Sequence, residues 1–284
     1  MKKIILIILP CFAITVLVHA QRFHANLLGG VSNYGGDLQD KAFTLKESKP
    51  ALGIGVTYEL MDKFFLRGQY TFTNLGANDA NSNIYSHRIR NLNFKTVLQE
   101  VSLLAEYDIL NNYNHQLVPY VFAGIGVFRF SPYTYDSLGA KRYLRGLHTE
   151  GQTLPSYPER QVYNRTQINI PVGAGVKLAL SDNIRVAAEF SLRNLFTDYL
   201  DDVSTTYPDL SLLTKRGASL SYRGDEYKPA VPFTGEGSIR GNPDVKDNYY
   251  FLMLRISYRL PFGKERESSS HQSNYHKNCP PIKL

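Results

Sequence analysis

Ten ionisable residues fall on one parity of short alternating segments: the acids Glu59, Glu100, Glu106 and Glu189, and the bases Arg67, Lys177, Arg185, Arg193, Arg255 and Arg259. Charges of both signs on one face of a sheet can pair in a water-poor interior or relay a proton or ion along it. Isolated ions there are costly to desolvate, so a structural ionic network is the expectation. Nothing further in the sequence supports a relay.

A second group sits between the alternating segments. It comprises Thr149-Glu150-Gly151-Gln152 and Asp198-Tyr199-Leu200-Asp201-Asp202. Gathered carboxylates are what a calcium ion requires. However, Asp198-x-x-Asp201-Asp202 lacks the odd-position spacing and the glycine of an EF-hand loop. Hydrogen bonding and salt bridges to Arg193 and Arg240, near Glu150, are expected instead, with no metal and no cofactor. For nucleophilic chemistry, His148 with Ser131 or Ser204 supplies the residue types. No spacing favours that combination, and a solvated loop histidine is the simpler reading.

The elements that position these groups alternate with period two, the signature of strands with two unlike faces. Leu52, Ile54, Val56, Tyr58 and Leu60 oppose Gly53, Gly55, Thr57 and Glu59. Phe64, Leu66, Tyr70 and Phe72 oppose Arg67, Gln69 and Thr71. The same pattern recurs at Val97–Tyr107, Ile168–Leu178, Ile184–Leu192 and Tyr250–Tyr258, and less cleanly at Phe23–Tyr34. Val118–Phe130 is apolar on both faces, and its orientation stays open, although inward Gly124 and Gly126 would suit a narrow interior. Most of the eight segments reach the ~9–11 residues a tilted strand needs to cross a bilayer.

Connections alternate in length. Short links follow the second, fourth and sixth segments (Met61-Asp62, Leu110 to Gln116, Ser181 to Asn183). Long ones follow the others (Asp37 to Lys49, Gly76 to Asn91, Ser131 to Asn164, Asp198 to Lys246). This predicts an all-β fold: an eight-stranded antiparallel transmembrane β-barrel with long extracellular loops and short periplasmic turns. Arg or Lys at the lipid midplane costs about 2–4 kcal/mol, so the charged parity should point inward. An interior of eight strands is just wide enough for side chains to fill, whereas water-filled channels come from ~16 or more strands. A passive porin is therefore disfavoured.

Met1 to Ala20 carries a basic start at Lys2 and Lys3, an apolar run and a small-residue site at Val18-His19-Ala20, which reads as a cleavable export signal. Residues 21–262 then form the barrel and 263–284 a polar periplasmic tail, with both mature ends in the periplasm. Removing the two lysines lowers the formal charge from +7 to +5, spread along the chain, which speaks against a nucleic-acid partner. Cys11 follows Pro10 and leaves with the signal. That makes Cys279 a lone thiol, idle or bridged to another chain.

Several stretches go beyond barrel pattern: Gly29 to Leu38, Arg90 to Lys95, Pro119 to Val127, His148 to Gln152, Phe196 to Ser204 and Arg240 to Pro243. From Gly29 to Leu260 the chain resembles the PorG-like outer-membrane barrels of Bacteroidetes, a component family of the type IX secretion system. The Thr-Glu-Gly-Gln and Phe-Thr-Asp-Tyr-Leu-Asp-Asp-Val segments carry most of that resemblance. It implies a non-enzymatic component set in outer-membrane lipid that contacts periplasmic ring subunits of the PorK and PorN type. The alternatives are a structural outer-membrane barrel without secretion duties and a small lipid-modifying enzyme.

Overall fold

A computed structural model describes residues 23–260, residue 42 excepted. The expected export signal, the mature start at Gln21, the barrel boundary at 262 and the tail with Cys279 lie outside the described residues.

Eight long strands form the wall: β1 (Phe23–Gly35), β2 (Lys49–Met61), β3 (Phe64–Asn78), β4 (Asn93–Asp108), β5 (Leu117–Arg129), β8 (Thr166–Ala179), β9 (Ile184–Leu195) and β10 (Asn248–Arg259). All neighbours are antiparallel. β1 pairs with β2 on one side and β10 on the other, so the sheet closes and leaves no free edge in the wall. A short hairpin, β6 (Tyr133–Tyr135) and β7 (Lys141–Tyr143), extends from β4 above the rim. The short connections are residues 62–63, 109–116 and 180–183 at one end. The long ones, 36–48, 79–92, 130–165 and 196–247, gather at the other and carry helices α1 (Tyr85–Arg90) and α2 (Lys215–Ser221).

The period-two pattern survives along most of the wall; near the mouth, outward Asn33 and Tyr250 are buried beneath residues 43–46 of the first long loop. Leu52, Ile54, Val101, Ile125, Ile168 and Leu254 stand on the outer wall, each 58–68% exposed. Arg67, Glu100, Glu106, Arg193 and Arg255 on the opposite parity are buried inside. A water-soluble barrel would have the reverse polarity. The apolar outer surface runs around the wall and far exceeds the few hundred Å² that soluble monomers expose. Transfer of such a surface from water to lipid is favourable by roughly 25 cal/mol per Å².

The open question of residues 118–130 is settled by packing. Val118, Tyr120, Phe122 and Phe128 point inward, on the same parity as Gly124 and Gly126, while Val121, Ile125 and Val127 face out. Two glycines of the neighbouring strand make room for these rings. A Cβ at Gly175 would stand 2.8 Å from the Tyr120 ring, and one at Gly173 would overlap Phe122. Large side chains on β5 thus interlock with absent ones on β8, filling a lumen too narrow for both.

Candidate functional site

The half of the lumen nearest the short turns holds a compact ionic network. Glu106 lies 2.8 Å from Arg67, 2.6 Å from Arg255 and 3.0 Å from Lys177. Lys177 also reaches Asp108 at 2.6 Å, and Arg67 reaches Glu189 at 2.9 Å, where the Tyr120 hydroxyl donates at 2.6 Å. Higher up, Arg193 pairs with Glu100 at 3.1 Å, and Glu100 accepts from Tyr249 (2.6 Å) and Asn169 (3.0 Å). Aromatic faces complete the packing: Arg67 lies over Phe122, Arg193 over Phe251, and Lys177 over Phe65 and Tyr120. Buried charges persist only when paired, which this arrangement achieves, although Arg67 Nη2, Arg255 Nε and Asp108 Oδ2 have no hydrogen-bond partner among the described residues.

Three of the ten expected members stand apart. Among the described residues, no carboxylate lies within ion-pair distance of Arg185 or Arg259, and no base within that distance of Glu59. Glu59 instead accepts from the Tyr113 hydroxyl at 2.5 Å. Arg185 and Arg259 line an open polar recess of about 520 Å³ with Tyr113. All three lie at the short-turn ends of their strands, Glu59 near the end of β2, Arg185 at the start of β9 and Arg259 at the end of β10. Arg193 departs from the expected rim contact with the loop aspartates. Its inward parity places it in the lumen on Glu100, with Ser191 accepting a further hydrogen bond. Asp108, Tyr120, Tyr249 and Asn169 were not singled out in the sequence. Asp108 shares the parity of Glu106, a usable signal. The others became visible only once strands far apart in sequence were adjacent.

Above the network the lumen turns apolar. Leu28, Leu98, Phe128, Phe251 and Met253 merge with Phe130, Tyr163, Leu144, Leu200, Val203 and Leu220 from the long loops into one core. The loops are therefore a folded cap seated in the barrel mouth, not independent excursions.

Within the cap the two loop motifs meet. Glu150 accepts from the Ser204 amide (2.9 Å), the Thr205 hydroxyl (2.8 Å), Tyr199 (3.1 Å) and Arg240 (2.8 Å). Asp202 accepts from Tyr163 (2.7 Å) and from Thr149, while Arg240 also donates to the Asp202 carbonyl at 2.7 Å. Gln152 accepts from the Glu150 amide at 3.1 Å, and Gly151 takes the left-handed turn at φ 78° that closes the motif. Arg90 clamps the base of the cap. It binds Asp79 through two nitrogens (2.7 and 2.8 Å) and the carbonyls of Asp37 and Arg240.

A neighbouring cluster is short of cations. Tyr34 links Asp201 (2.6 Å) and Asp247 (3.0 Å); Asp198 accepts from Ser204 at 2.7 Å. Burial and then the charge of Asp37 raise the Asp201 carboxyl well above its ordinary range; burial and Asp201 do the same to Asp247. The Tyr34 hydroxyl has one hydrogen to offer two carboxyls, and this geometry together with their burial favours a proton on one of the pair. Burial pushes Asp198 up to about 7 and Asp202 up to about 6. Among the described residues, no group of three or more His, Cys, Asp or Glu side chains is arranged to hold a metal ion. His148 makes no hydrogen bond to Ser131 or Ser204, whose hydroxyl is committed to Asp198.

A closed antiparallel wall with apolar side chains outside and paired charges inside defines an eight-stranded transmembrane β-barrel, here with a folded cap. The chain belongs to the family described as Domain of unknown function (DUF6089), whose model matches residues 2–215. No curated protein matches it. Similar solved structures include Neisserial surface protein A, at 11% identity and a TM-score of 0.43, over 84% of this chain and 97% of that one. Ail, the attachment invasion locus protein of Yersinia pestis, is similar at 12% identity and 0.40, over 84% and 97%. OprG of Pseudomonas aeruginosa is similar at 11% identity and 0.39, over 86% and 99%.

Proposed function

We propose that this protein is a non-enzymatic outer-membrane barrel that works by attachment, tying a periplasmic ring of the type IX secretion machinery to the membrane. The observation that carries the attachment reading is the sealed lumen. Paired ions fill one half and the cap's apolar core the other, and the void among His24, Glu106, Lys177 and Arg255 measures about 20 Å³. That is room for roughly one water and no solute. This filling of the described lumen leaves the two ends as the working parts in this reading. The short-turn end presents the polar recess beside Tyr113 and Arg185, and the first and last described residues meet there, Leu260 donating to the Phe23 carbonyl at 2.9 Å. This end suits periplasmic subunits of the PorK and PorN type, the partners implied by the resemblance of the Thr149–Gln152 and Phe196–Ser204 segments.

A photo-crosslinking residue at Asn114, in the recess, and another at Leu138, on the opposite end, test the reading in intact cells. Asn114 is expected to yield adducts with periplasmic ring subunits and Leu138 none. Adducts only from Leu138, or unchanged protein secretion after deletion of the barrel, would remove the secretion role and leave a structural barrel.

A further inference from the structure

The outer wall carries one feature that neither the lumen nor the proposed attachment uses. Above the lipid-facing residues of β4 and β5, the outward parity switches from aliphatic to cationic. Val97 gives way to Lys95, and Val127 to Arg129; both cations are exposed. The β6–β7 hairpin adds a third cation, Lys141, and three tyrosines. Lys141 sits 3.7 Å over the Tyr133 ring and 5.0 Å over Tyr143, and Lys95 sits 5.5 Å over Tyr135. Tyr133 pairs across strands with both Lys95 and Tyr143, so these groups share one face. Among the described residues, none of the three cations has a carboxylate within ion-pair distance, and none of their side chains donates a hydrogen bond. Asp136, the acid of the hairpin, is taken by Arg142 at 2.8 Å.

The face is held rigidly. Thr134, on the inner side of the hairpin, is buried and bonded to Asn93 and Arg223. Along the same wall runs a shallow apolar concavity of about 940 Å³ that spreads from Ile54 and Tyr70 on β2 and β3 through Val101 and Val127 to Ile168 on β8. Tyrosines at a membrane interface are common to all barrels. Three unpaired exposed cations, two of them stacked on tyrosine faces, beside an apolar concavity ask for something more particular. The cations match phosphate oxygens, the ring faces match the C–H faces of sugars, and the concavity matches acyl chains. We propose that this face binds a phosphorylated glycolipid of the outer leaflet, its phosphates on Lys95, Arg129 and Lys141 and its chains in the concavity. The leaflet follows from the orientation proposed above; the binding site does not depend on it.

The test uses the purified mature protein, folded in detergent, with retention of added lipid read by native mass spectrometry. The probes are bisphosphorylated lipid A, dephosphorylated lipid A and phosphatidylglycerol. Wild type and a charge-matched control on the cap surface (Lys215→Gln, Arg216→Gln, Lys228→Gln) should retain lipid A. The variant Lys95→Gln, Arg129→Gln, Lys141→Gln should retain it about tenfold less. Dephosphorylated lipid A and phosphatidylglycerol should fall by a similar factor on wild type. Equal lipid A retention by wild type and the triple variant would overturn the site, as would an equal loss in the control. Equal retention of phosphatidylglycerol would reduce the face to a general anionic rim. If gel mobility shows the triple variant unfolded, Lys141→Gln alone carries the test, because it lies on the hairpin outside the wall; about threefold loss is expected. Labelling of Leu138→Cys on intact cells by an impermeant maleimide reports the orientation separately, and protection there would shift the leaflet without touching the binding result.

Discussion

In the lumen four central carboxylates, Glu100, Glu106, Asp108 and Glu189, meet four cations, Arg67, Lys177, Arg193 and Arg255. In the cap Asp198, Asp201 and Asp247 meet hydroxyls and backbone amides, and the arginines Arg90 and Arg240 are committed to Asp79 and Glu150. Both regions bury acids, and each neutralises them differently. The wall has fixed strands whose parity can place a base opposite an acid, so charge is cancelled by pairing. The cap has bases, but among the described residues none reaches ion-pair distance of Asp198, Asp201 or Asp247, and burial shifts these carboxyls toward their protonated form. The lumen should therefore be sensitive to deletion of a partner, and the cap to pH.

The largest effect should come from Glu106→Gln. It leaves Arg67 and Arg255 around a neutral amide, while Lys177 keeps Asp108. Breaking a buried pair by removing one partner costs about 3–5 kcal/mol. Urea unfolding of the barrel in lipid vesicles, followed by gel mobility, should show a loss of that order, and a loss below about 1 kcal/mol would contradict pairing as the lumen's stabilising device.

A smaller and more local effect is expected at the junction of the two regions. A Cβ at Gly36 would overlap the Asp247 carboxyl and the Tyr34 hydroxyl. Gly36→Ala must therefore displace the shared-proton pair, at about 1–3 kcal/mol for forced overpacking. Limited proteolysis should cut within residues 196–247 while the wall keeps its folded mobility. Uncut loops would show that the acid pair does not hold the cap.

The smallest effect is a slope. Asp198 and Asp202 are raised in the folded cap, to about 7 and about 6. A raised carboxyl binds its proton more tightly folded than unfolded. Its contribution is therefore fully present below the unfolded value of about 3.9 and is lost as pH climbs through the folded values. The cap should be tighter at pH 5 than at pH 8. Asp198→Asn, which cannot ionise and can still accept from Ser204, should flatten that dependence and make the cap more resistant to heating at pH 8. Identical melting profiles for variant and wild type across this range would mean that Asp198 does not contribute to it.

Much of the wall was legible because a strand's two faces are written residue by residue. Leu52-Gly53-Ile54 or Val101-Ser102-Leu103 needs no partner to declare which side meets lipid, and the alternation of short and long links gave the closure order. The network was legible only as a set. Seven of its ten expected members are there, and Glu59, Arg185 and Arg259 fall away because parity says which way a side chain points but not how deep it sits. The cap was the least legible. Thr149–Gln152 and Asp198–Asp202 were visible as unusual runs. That Glu150 binds Arg240, or that Tyr34 bridges Asp201 and Asp247, depends on residues up to 213 positions apart.

By itself, then, the amino-acid order determined the number of strands, their faces and the inward placement of charge, since these are local consequences of a two-residue repeat in contact with lipid or lumen. Tertiary structure alone decided which acid meets which base, which carboxyls keep protons, and that the long loops fold into one body. Those outcomes depend on distances between segments remote in sequence, which close only when the last strand returns to the first.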